Sequence, residues 1–81
     1  MKMLLSCETS IGTFYIAQTQ DGRFHPVYDG DSLGSYAELW QAVEDLTIDA
    51  TCSILHPVTS ELVDTSTLGI PEDWQEWDRL T

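Results

Sequence analysis

Between Met1 and Tyr28 the apolar positions fall in short, strand-like runs. Met1 to Thr9 is one such run, closed by the turn-forming Ser10-Ile11-Gly12. Gly12 to Gln20 and Arg23 to Tyr28 then flank Asp21-Gly22, the strongest local hairpin signal in the chain. A two-residue turn there pairs Gln20 with Arg23 and leaves both hairpin faces mixed. A three-residue loop, Gln20-Asp21-Gly22 with Gly22 in the left-handed region, pairs Thr19 with Arg23 instead. It gathers Phe14, Ile16, Phe24, Pro26 and Tyr28 on one face and leaves Thr13, Tyr15, Ala17, Arg23 and His25 on the other, with Val27 the exception. One buried face fixes register strongly, so the second arrangement is expected. Pro26 cannot donate to a ladder, which makes its strand an edge or a locally bulged one.

After the loop Asp29-Gly30-Asp31-Ser32-Leu33-Gly34 the period becomes helical. Ser35 followed by Glu38 has the form of a capping box, and Tyr36, Leu39, Trp40, Val43 and Leu46 recur at helical spacing, predicting a helix over about 36–47 with Trp40 in its core stripe. Its other side carries Glu38, Gln41, Glu44, Asp45 and, just past the end, Asp49. Ala50 to Leu55 reads as a short strand stopped by Pro57, and Val58 to Thr67 is polar and irregular. Pro71, with Glu72 and Asp73 behind it, suits the first turn of a short C-terminal helix over 72–80. Nine residues do not hold a helix alone, so this one is expected to dock through Ile70, Trp74 and Trp77. The resulting fold class is α+β in two layers: a three-stranded antiparallel meander plus a short fourth strand, packed against one amphipathic helix, with a short C-terminal helix. Residues 1–81 form one domain, without repeat or linker.

Charge adds what periodicity cannot. Fourteen acids against three cations give a net charge of -11, well beyond the magnitude of about 2–8 usual for a small domain. All of that excess lies in residues 29–81, where twelve acids face Arg79 alone, while residues 1–28 are balanced. Such a chain repels nucleic acid and anionic bilayers and attracts basic surfaces. No apolar run approaches the roughly 18–20 residues of a membrane span, and Met1 to Leu5 is far too short for a signal-peptide core, so a cytoplasmic protein is expected.

Four blocks also carry a resemblance: Thr13-Phe14-Tyr15-Ile16-Ala17, Asp21-Gly22-Arg23-Phe24-His25, Ser32-Leu33-Gly34-Ser35-Tyr36 and Leu68-Gly69-Ile70-Pro71-Glu72-Asp73. In these the chain resembles a scattered family of small bacterial proteins of unknown function, many of them accessory genes on mobile elements such as integron cassettes or prophages. The resemblance implies no activity and transfers no site residue. The order of elements alone is similar to that of HicB-type antitoxins, a likeness of fold that says nothing of function.

Catalytic and metal chemistry find little support. Cys7, His25, Cys52 and His56 supply four possible ligands, but only Cys52 and His56 approach the close pairing of structural zinc sites. Asp29-Gly30-Asp31-Ser32 starts like a calcium loop, yet its twelfth position holds Trp40 rather than Glu. An acidic field raises thiol pKa values, and no glycine-rich phosphate loop occurs. Neither metal nor cofactor is expected, and no enzyme.

The leading expectation is a protein-binding module. Glu38, Glu44, Asp45 and Asp49 would form its acidic face toward a basic protein; in a sharper version that partner binds nucleic acid and the chain is a nucleic-acid mimic, since 38–49, if helical throughout, spans roughly 16 Å, about five nucleotide rises. Trp74 and Trp77, rimmed by acids, are read as core staples, with Trp77 the more exposed, or else as an aromatic anchor for the partner. The alternative is a self-associating or small-ligand-binding scaffold. Tyr15 and His25 on the second hairpin face would make its contacts, and a homodimer would cover Tyr15 and Val27.

Overall fold

The computed structural model describes residues 2–48, 54–55 and 58–80. Strands β1 (Lys2–Thr9), β2 (Gly12–Gln18) and β3 (Phe24–Tyr28) form the antiparallel meander, and β4 (Asp31–Ser32) extends it. Helix α1 (Leu39–Ile48) follows, then a two-stranded ribbon of β5 (Ile54–Leu55) and β6 (Leu62–Val63). A last strand, β7 (Asp78–Arg79), pairs with β1, so the main sheet runs β4-β3-β2-β1-β7. The architecture is α+β, as expected, with the antiparallel sheet at its centre.

The hairpin register is the one that segregates the apolar residues. Phe14 pairs with Tyr28, Ile16 with Pro26 and Gln18 with Phe24, while the Thr19 N–H donates to the Arg23 carbonyl at 3.0 Å. Gly22 takes φ +83°, the left-handed conformation required of it. Pro26 lies on an inner strand, yet the sheet loses little by it. Its carbonyl accepts from the Leu33 N–H at 2.8 Å, so the missing N–H points away from β2 toward a neighbour only two residues long.

Asp29-Gly30, expected within a loop, is a second hairpin turn. Both residues have positive φ (54° and 81°), and Tyr28 pairs with Asp31 across them, as the primed two-residue turns demand. The chain then stays beside β3. Phe24 and Tyr36 exchange two backbone hydrogen bonds of 2.8 Å, which keeps Tyr36 extended and delays the helix to Leu39. The expected capping box therefore does not form. Ser35 instead accepts from Arg23 Nε at 2.5 Å, and the Glu38 N–H is capped by the Gln41 side-chain oxygen at 3.1 Å.

The side of α1 that packs inward is Ala42, Val43, Asp45 and Leu46. Trp40 lies about 120° round from Leu46 at 3.6 residues per turn and is exposed instead of buried. The core joins Leu5, Phe14 and Ile16 of the sheet to Val43 and Leu46 of α1, closed by Ile70 and Trp77.

No C-terminal helix forms either. Asp73 caps a single 3-10 turn, Trp74–Glu76, by accepting from the Gln75 N–H at 2.9 Å, and Trp77 is already extended (φ -78°, ψ 155°). The open edge of β1 offers this segment the hydrogen bonds a nine-residue helix could not sustain. Trp77 is consequently buried, at 4% exposure, its indole N–H donating to the Pro71 carbonyl at 3.1 Å, while Trp74 is half-buried. The expected order of exposure is reversed. The predicted strand over 50–55 is described only at 54–55, where it joins the ribbon rather than the main sheet.

Candidate functional site

The acids expected to form one face differ in exposure. Glu38 and Glu44 are exposed, but Asp45 is only 3% exposed, on the side of α1 that packs inward, and Asp49 lies outside the described residues. Asp45 and Thr65 are the buried polar side chains of the described core, and both have partners. Alternation of apolar and acidic positions cannot reveal which acid a later turn will cover. The 3-10 turn Thr65–Thr67 packs against α1 and encloses its Asp45 side.

A different surface carries both charge and apolar area. Trp40, Glu44 and Ile48 succeed one another at i, i+4 and i+8, one ridge of α1 about 12 Å long. Trp40 is 54% exposed and Ile48 57%. The C-terminal segment brings Glu72 alongside, and with Thr47 these residues line a shallow groove of about 310 Å³. The Thr47 hydroxyl is committed to the Glu44 carbonyl at 2.9 Å. Among the described residues the carboxylates of Glu44 and Glu72 have no hydrogen bond or ion pair. All three cations of the chain lie elsewhere: Arg23 holds Ser35, Arg79 stands over the Trp74 ring at 5.8 Å, and Lys2 opens β1. This groove combines an aromatic anchor, an aliphatic contact and carboxylates on two elements, the composition of an interface hot spot. Reading Trp40 as core hid it. The signal that could have found it is the i, i+4, i+8 spacing of Trp40, Glu44 and Ile48 opposite Ala42 and Leu46.

The aromatic pair expected as a staple or an anchor is divided. Trp77 belongs to the core, and Trp74 packs against that core while engaged by Arg79. On the second sheet face Tyr15 and His25 are half-buried beside Val27 and Ala17, their cross-strand partners. Val27 is 2% exposed and Ala17 is wholly buried, which leaves Tyr15 and His25 as the partly exposed members of these pairs.

His25 has a defined setting of its own. Its Nδ1 lies 3.0 Å from the Ser32 hydroxyl, which itself donates to the Gly34 carbonyl, and its Nε2 lies 3.5 Å from Thr19 Oγ1, which donates to Asp21. A Ser32 hydroxyl engaged with Gly34 accepts from Nδ1–H and is not activated as a nucleophile. The Thr19 hydroxyl, and after it the Arg23 backbone N–H, hold the exposed Asp21 carboxyl below the usual aspartate range. Cys7 is pushed the other way: burial first, then the charges of Asp78 and Glu8, raise its thiol and keep it protonated at neutral pH. Cys52 and His56 lie outside the described residues, and among the described residues no three His, Cys, Asp or Glu side chains gather as a metal site.

In comparisons with known proteins the chain matches no family model, no curated protein and no solved structure. Among the described residues no helix is long and apolar enough to cross a membrane. The functional reading therefore rests on the groove alone.

Proposed function

We infer that the chain is a protein-binding module whose α1 groove receives a basic segment of another protein. The observation that carries this reading is the exposure of Trp40 and Ile48 in a groove that Glu44 and Glu72 also line, with carboxylates that have no partner among the described residues. A small domain gains nothing in stability from leaving an indole in water, whereas a desolvated aromatic is the commonest source of binding energy at an interface. Charge complementarity selects the occupant: at net -11, with none of its own cations in the groove, the surface favours lysine- and arginine-bearing chains and repels acidic ones. In the nucleic-acid-mimic form of the reading Glu38 and Glu44 are the exposed acids of this stretch among the described residues, Asp45 being buried.

Calorimetric titration with a short basic peptide tests the reading. Binding is expected at low ionic strength, to weaken steeply with salt, and to fall by at least tenfold in Trp40→Ala, the ordinary loss of about 1.4 kcal/mol or more at a hot spot. Equal affinity of wild type and Trp40→Ala would overturn it.

A further inference from the structure

Resting on that reading, we propose that the groove selects arginine over lysine, taking one guanidinium flat on the Trp40 indole and pairing it with Glu44. Trp40 and Glu44 are one helical turn apart, a spacing that sets their Cβ atoms roughly 5–6 Å from each other. A planar guanidinium stacked on the indole therefore has its edge N–H groups at the Glu44 carboxylate, and Glu72, which lines the same groove, offers a second acceptor. Ile48, a further turn along the same ridge, offers apolar surface to the methylene stem of the side chain. Lysine satisfies only part of this arrangement. Its ammonium is compact, strongly hydrated and not planar, so it cannot stack and donate in one plane at once.

The chain already pairs the same groups internally. Arg79 stands 5.8 Å from the centroid of the Trp74 ring, with Asp73 and Asp78 adjacent in sequence to the two partners. Trp74 is thereby occupied, whereas among the described residues no cation stands over Trp40, and neither Lys2 nor Arg23 lines the groove. The occupant is thus an arginine of a partner protein, presented on an extended or exposed segment able to enter a groove of about 310 Å³.

The test compares two peptides of equal length and charge, one alternating arginine with glycine and the other lysine with glycine, titrated into the whole protein, Trp40→Ala, Trp40→Phe and Glu44→Gln. Wild type should bind the arginine peptide roughly three- to tenfold more tightly. Trp40→Ala and Glu44→Gln should bring the two peptides to equal affinity, and Trp40→Phe should keep part of the preference. Trp40 and Glu44 are exposed, so thermal melts of these variants should match wild type and exclude misfolding as the cause. If both peptides bind equally well to wild type and both weaken in Trp40→Ala, the binding function stands and arginine selection is overturned. A preference that persists in Trp40→Ala overturns it as well, and failure of both peptides to bind at low salt overturns both readings.

Discussion

Replacing Asp45 by alanine removes a carboxylate from the packed side of α1, while replacing its neighbour Glu44 by glutamine alters a carboxylate in water. The first should cost about 1–3 kcal/mol, because the groups that satisfy a buried acid are left unpaired, and should not change affinity for a basic peptide. The second should leave the thermal midpoint in place and weaken binding. Reversed effects in melting and titration experiments would place the functional acid on the wrong side of the helix. Asp21 gives a pH-dependent expectation. Its folded pKa is depressed, so its contribution to stability is present above the ordinary value near 4 and lost as pH falls through the folded value. In Thr19→Val the Asp21 carboxyl, followed by NMR, should titrate at higher pH; an unmoved midpoint would contradict the role given to the Thr19 hydroxyl. At this scale the sequence was a partial guide. The apolar hairpin residues Phe14, Ile16 and Pro26 were legible because alternation fixes their face, whereas Trp40 and Asp45 exchanged roles because the packed stripe of α1 is Ala42, Val43, Asp45 and Leu46, which mixed apolar and acidic spacing does not single out.

The two departures that concern helices arise where an open strand edge competed with a helix. Residues 33–36 hydrogen-bond along β3, which displaces the start of α1 from 36 to 39, and residues 78–79 pair with β1, which replaces a C-terminal helix. Local helix signals, Ser35 with Glu38 and Pro71 with two acids, do not register such tertiary hydrogen bonds. The second hairpin turn, by contrast, was available in the sequence: Asp29-Gly30 obeys the same rule that located Asp21-Gly22. The C-terminal segment also yields a stability prediction. Trp77→Ala should cost about 3–5 kcal/mol, much of the roughly 5 kcal/mol available to a domain this small. Deleting residues 71–81, which removes β7 as well, should abolish cooperative unfolding in circular dichroism melts. A truncated protein that still melts cooperatively would show that Trp77 and β7 are dispensable to the core.

For the whole molecule, the partition of labour between the two ends of the chain explains how a balanced, well-packed hairpin can coexist with a net charge of -11. Residues 1–28 supply most of the sheet and carry no net charge, and the acids of residues 29–81 fall chiefly on exposed positions around α1 and the C-terminal segment. Such a field speeds encounter with basic partners and is screened by salt, whereas the apolar pair Trp40 and Ile48 supplies a contact that salt does not screen. The direct test is to titrate isotopically labelled protein at low ionic strength with a peptide alternating arginine and glycine, following the backbone amides and the Trp indole N–H signals. The account predicts saturable shifts confined to Trp40, Glu44, Ile48 and Glu72 and their immediate neighbours, with the Trp77 indole unmoved. Shifts centred instead on Tyr15 and His25, or scattered over every acidic residue without saturation, would contradict it.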